Sequence, residues 1–178
     1  MKNIIIVLLA LVSSTFSSCA QGKKESSVEF TKTDSTVRLQ LNNVLTIYYQ
    51  IKDALVHDNE KVAAAKAKEF GTALDAVDMK KMAASEHSFF MPLQEKLAYD
   101  AGHISKAPNI DHMREHFAPF SNNVWALIKA FKANNGTVAY QQYCPMQKAT
   151  WVSNEEGIKN PYYGKQMLSC GKVTETLK

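Results

Sequence analysis

The chain has 178 residues, a formal net charge of +4 and 46% hydrophobic residues. That composition is ordinary for a folded protein, so it excludes a disordered or fibrous chain, and the length suits one domain with a core of useful size. The lysines are scattered rather than gathered into an Arg-rich stripe, which argues against a nucleic-acid partner.

The chain opens Met1-Lys2-Asn3, continues as the apolar run Ile4 to Val12, and then carries small residues up to Ser18. A basic start followed by an apolar stretch too short to span a bilayer predicts a signal peptide over residues 1–18. The small residues directly before Cys19 resemble the lipobox of bacterial lipoproteins, with Phe16-Ser17-Ser18 departing from the commonest Leu-Ala-Gly form. By that resemblance the chain is cut before Cys19, and the acylated Cys19 thiol anchors the protein in the membrane. The expected location is the cell envelope, on the periplasm-facing side of the outer membrane. Residues 19–34, rich in Lys, Ser, Thr and Glu, read as a flexible tether.

Residues 35–136 predict a mainly α fold, an up-down four-helix bundle. In the first helix, about 35–57, Val37, Leu41, Val44, Leu45, Tyr48 and Ile51 recur at three- and four-residue spacing. Asp34 or Ser35 can cap its start, and Asn59 the start of the next, about 60–77. A less regular stretch over 79–88 leads to a third helix near 89–105, with Pro92 expected in its first turn. Ala107-Pro108-Asn109 makes a turn, and a fourth helix follows over about 110–134. Its apolar face holds Met113, Phe117, Phe120 and Val124, and Pro119 lies inside it. After Gly136 the period changes. Thr137 to Cys144 is rich in Val, Tyr and Thr, as a strand is. Residues 137–178 therefore predict a small irregular lobe with one or two short β-strands, packed on the bundle because it is too small for its own core.

Three constellations could carry chemistry. The first is sulfur: Cys144 and Met146 on one side of the lobe, Met167 and Cys170 on the other. Thiolate and thioether donors favour Cu(I) over Zn(II), so these four are the first-choice ligands for a soft ion. The alternative is a Cys144–Cys170 disulfide with both Met residues in packing roles; once Cys19 is acylated, these two are the remaining cysteines. The second constellation is histidine. In an antiparallel pair of the third and fourth helices, His103 faces His112, and His116 follows one turn deeper, so His103, His112 and His116 form a second ligand set. The third is His112-Met113-Arg114-Glu115-His116, which matches the H-x-x-E-H pattern of inverted zinc peptidases. That chemistry needs a downstream acid, and only Glu155, Glu156 and Glu175 follow, in a small lobe. Arg114 and Glu115 are expected in surface ion pairs instead, and an enzyme is not expected.

Tyr143-Cys144-Pro145-Met146, Trp151-Val152-Ser153, the run Ile158 to Gly164 and Met167-Leu168-Ser169-Cys170-Gly171 together resemble an uncharacterised bacterial lipoprotein domain family. Arg114 to Ser121 resembles its helical segment. Relatives of that domain are fused to periplasmic adaptor subunits of heavy-metal efflux pumps, so the resemblance implies copper or a related soft metal. Cys144-Pro145-Met146 also resembles the metal-binding segments of metal-transporting ATPases, with Gln147 where His often follows. The expectation is a lipid-anchored periplasmic domain that binds or buffers a soft heavy-metal ion, Cu(I) foremost, in connection with efflux components. The alternative is a non-catalytic interaction module stapled by the disulfide and holding no metal.

Overall fold

The computed structural model describes residues 28–178. The expected signal peptide, Cys19 and most of the expected tether lie outside the described residues. Four helices come first: α1 (Ser35–Val56), α2 (Glu60–Asp75), α3 (Ala84–Lys106) and α4 (Ile110–Phe131). Each packs on its chain neighbour and α4 returns against α1, which is the expected up-down order.

Side-chain caps set three of the helix starts. The Asp34 carboxylate accepts from the Thr36 N–H, Asn59 from Val62, and Asn109 from His112. The third helix departs from expectation. It begins at Ala84 rather than near 89, so Pro92 lies well inside it. Glu86 fixes that start, because one carboxylate oxygen accepts the Ala83 N–H at 2.8 Å and the other the Thr33 hydroxyl at 2.6 Å. The fourth helix ends three residues early, where Lys132 turns left-handed at φ 50°.

The bundle core is apolar and heavily aromatic. Phe120 is fully buried, with its ring centroid 4.6 Å from that of Phe70, and Tyr48 stacks on Phe117 at 5.4 Å. Residues 28–34, within the stretch read as tether, also sit on the bundle. The Phe30 N–H donates to the Ala130 carbonyl at 2.7 Å, and its ring lies 5.1 Å from Phe131 and 5.7 Å from Phe89.

The lobe contains β1 (Ala139–Cys144), β2 (Ala149–Ser153) and β3 (Lys172–Leu177), antiparallel in the order β2-β1-β3. That is one strand more than expected. Most of β3 is exposed on both faces, so it lacks the apolar alternation that marks a half-buried strand. The strand β2 lies on α4. Tyr48 joins three elements there: its hydroxyl accepts the Val152 N–H at 3.0 Å and shares a 2.7 Å hydrogen bond with Ser121. Trp151 is fully buried, 6.0 Å from the Tyr162 ring, which in turn meets Phe117 at 5.9 Å. The lobe aromatics Trp151 and Tyr162 are thus core. Among the described residues, no helix is long and apolar enough to cross a membrane.

Candidate metal centre

The short connection Ala107–Asn109 folds α4 back on α3 and sets their facing histidines together. His103 and His116 stack at 4.3 Å between ring centroids, His112 lies 4.9 Å from His116, and His103 to His112 is 6.3 Å. His103 therefore lies closer to His116 than to the His112 expected opposite it. One ring nitrogen from each of the three lies within 4.8 Å of the others. Three imidazoles on a tetrahedral ion at about 2.1 Å have donors roughly 3.4 Å apart, so modest rotations of these partly exposed rings close the gap.

Two carboxylates each hold an Nδ1. Asp100, one helical turn before His103, lies 3.2 Å from the His116 Nδ1 and is almost wholly buried. Glu115 lies 3.2 Å from the His112 Nδ1, on the exposed surface. A proton on each Nδ1, shared with its carboxylate, leaves the Nε2 lone pair for an ion; carboxylate–histidine–metal relays have this order. Burial pushes the Asp100 carboxyl above its ordinary range, and the hydrogen bond and charge of His116 pull it part of the way back. Tyr99, on the outer face of α3, covers one flank of the cluster, 4.4 Å from the His103 ring. The sequence reading missed Asp100 and Tyr99. Their signal was there, since Tyr99 and Asp100 stand four and three residues before His103 on the same helical face.

The rest of the H-x-x-E-H segment serves other ends. Glu115 is held by His112, and the downstream acid Glu175 bonds to Trp125 and Lys129. Glu155 pairs with Lys159. Arg114 was expected at the surface but is buried between bundle and lobe, with only a loose 3.9 Å contact to exposed Asp111. Its guanidinium donates to the Pro161 carbonyl at 2.8 Å, the Leu55 carbonyl at 3.1 Å and the Asp58 carboxylate at 2.7 Å. The Asp58 carboxyl is pushed up by its partial burial, but Arg114 and the Lys165 N–H outweigh this and hold it below the usual range. Gly164 closes the same clasp at φ 52°, where a side-chain carbon would collide with Asp58.

The sulfur residues are only partly gathered. Cys144 ends β1, Cys170 precedes β3, and their Sγ atoms stand 3.9 Å apart as free thiols. Met146 and Met167 lie at the surface, 61% and 37% exposed, rather than in the core. The disulfide alternative is not formed in this structure.

A helical bundle with a histidine cluster at one end of a helix hairpin defines the architectural class. The chain belongs to the DUF3347 family, described as a protein of unknown function, whose model matches residues 44–136. No curated protein and no solved structure matches the chain. The matched segment holds all four helices but the first turns of α1, and all three clustered histidines. The lobe, which carried most of the motif resemblance, lies beyond it.

Proposed function

We propose that this protein is a metal-binding component of the cell envelope, anchored through lipidated Cys19, which binds and buffers a heavy-metal ion in connection with metal efflux. Copper is the preferred ion, and the role is binding rather than catalysis. One observation carries the reading: three imidazoles converge at the α3–α4 hairpin with a carboxylate on the Nδ1 of two of them. Imidazole donors suit Cu, Zn and Ni, and among the divalent ions Cu(II) binds nitrogen sites most tightly. The chain's own residues supply the donors (His103, His112, His116), the orientation of two of them (Asp100, Glu115) and an aromatic flank (Tyr99). The efflux connection and the anchor rest on the motif resemblance and on the lipobox-like sequence before Cys19.

Cu(II), Ni(II) and Zn(II) titrations of the purified protein test the site. One Cu(II) should bind per chain at the cluster. His116→Ala should weaken it by at least 100-fold, and Asp100→Asn by about 10–100-fold, as loss of an orienting carboxylate does. A triple His103→Ala, His112→Ala, His116→Ala variant that binds Cu(II) as tightly as the wild type overturns the reading. Cell fractionation tests the anchor: Cys19→Ala should leave the membrane fraction.

A further inference from the structure

We propose that Cys144 and Cys170 form a second metal site, separate from the histidine cluster, that holds one monovalent soft ion, Cu(I), between two thiolates. The separation of the sulfurs carries the argument. At 3.9 Å they are not joined as a disulfide, and one thiol donates a hydrogen bond to the other. Two sulfurs about 2.3 Å from one ion stand roughly 3.8–4.0 Å apart when a third donor bends the angle at the ion to between tetrahedral and trigonal. The pair is therefore spaced for an ion without movement of the backbone.

The backbone around it is arranged for thiolates. After Cys144 the chain turns through Pro145 to Lys148, and this turn directs an N–H group at the first sulfur. The Gln147 N–H donates to the Cys144 Sγ at 3.4 Å. Such a donor stabilises negative sulfur. The second strand of the site is equally fixed. The Asn160 side chain donates to the Cys170 carbonyl at 2.6 Å, and the Asn160 N–H to the Leu168 carbonyl at 2.8 Å, so the segment before Cys170 is clamped at both ends. Gly171 then passes against Trp151 with φ 155°, where a side-chain carbon would strike the indole.

Binding Cu(I) forms two Cu–S bonds and releases the two thiol protons to solvent, with no change in oxidation state. Cys144 is fully buried and Cys170 partly exposed, so the ion enters from the Cys170 side. Met146, two residues after Cys144, and Met167, three before Cys170, are exposed, and either can supply a thioether as third donor. The two sites then divide by ligand chemistry, nitrogen for Cu(II) and sulfur for Cu(I).

The test is anaerobic Cu(I) titration of the full chain, reduced, in a Cys19→Ser background, against the chromophoric chelator bathocuproine disulfonate. One Cu(I) per chain is expected. Cys144→Ser with Cys170→Ser should weaken it by more than 1,000-fold, Met146→Leu with Met167→Leu by about tenfold, and the triple histidine variant by less than threefold. Circular dichroism checks that the serine variant folds. If it does not, Cys170→Ser alone, at the partly exposed position, takes its place with the same expected loss. Two Cu(I) per chain, one on each independent thiol, would overturn the proposal. So would unchanged affinity in the serine variants, or loss of Cu(I) in the histidine variant. Failure of the thiol site leaves the Cu(II) titration of the histidine cluster unaffected, so the two readings fall separately.

Discussion

The bundle and the lobe are held together by different physics. In the bundle, helices that follow one another in the chain bury apolar stripes against one another, and the aromatic centre at Tyr48, Phe70, Phe117 and Phe120 is fully buried. The lobe has a small core around Trp151 and Tyr162, and much of its order comes from side chains that grip backbone. The Asn160 side chain holds the backbone of Tyr162 and Cys170, Gln142 donates to the Glu155 and Glu156 carbonyls, and Arg114 reaches from α4 to Pro161. Apolar burial is non-directional and tolerates small errors of position. Hydrogen bonds to buried backbone groups are directional, and the loss of one partner leaves the other unsatisfied.

The comparison breaks most readily at Phe120. Phe120→Ala empties a fully buried ring site and should cost about 3–5 kcal/mol in denaturant melts, with bundle and lobe lost in one transition. A loss below roughly 1 kcal/mol would show that the stripe is not core. Next in size is the clasp between the regions. Arg114→Ala leaves two carbonyls and a carboxylate without their donor and should cost about 3 kcal/mol. Hydrogen exchange should place that cost in the lobe first, near Tyr162 to Gly164. Gly164→Ala should mimic it, by driving Asp58 out of the clasp.

The smallest effect is acid sensitivity. The folded-state carboxyl of Asp58 lies below its unfolded value, so its stabilisation is complete above the unfolded pKa and disappears as pH falls through the folded one. Asp58 is about one-third exposed, so the contribution should be about 1 kcal/mol or less. Melts of wild type and Asp58→Asn should differ at pH 7 and converge as pH falls through the lowered folded-state value of the carboxyl; curves that stay parallel would remove Asp58 from the clasp.

What the sequence disclosed follows the same division. Periodic apolar residues such as Val37, Leu41, Val44 and Tyr48 mark helix faces without reference to the rest of the chain, so the four helices and their order were legible. The start of α3 was misplaced because Glu86 acts by reaching back to Ala83 and across to Thr33, a contact 53 residues distant. Arg114 looked like a surface ion pair for the same reason. Its partners Leu55, Asp58 and Pro161 are close only after folding. The convergence of His103, His112 and His116 could be read from the turn at Pro108. Asp100 was overlooked because an Asp three residues before a His is commonplace until burial makes it an orienting group. The strand β3 was missed because its pairing with β1 is made through backbone, while most of its side chains are exposed and show no apolar alternation.

That pairing has a consequence for when the thiols become a pair. Cys144 and Cys170 are separated by 26 positions of chain, and β3 docking on β1 is what returns the second sulfur to the first. The four helices pair largely with their chain neighbours, a short search, whereas the closure of the sheet spans the whole lobe. An unfinished chain therefore offers a soft ion single sulfur ligands, and the two-sulfur grip comes into being only with the completed fold.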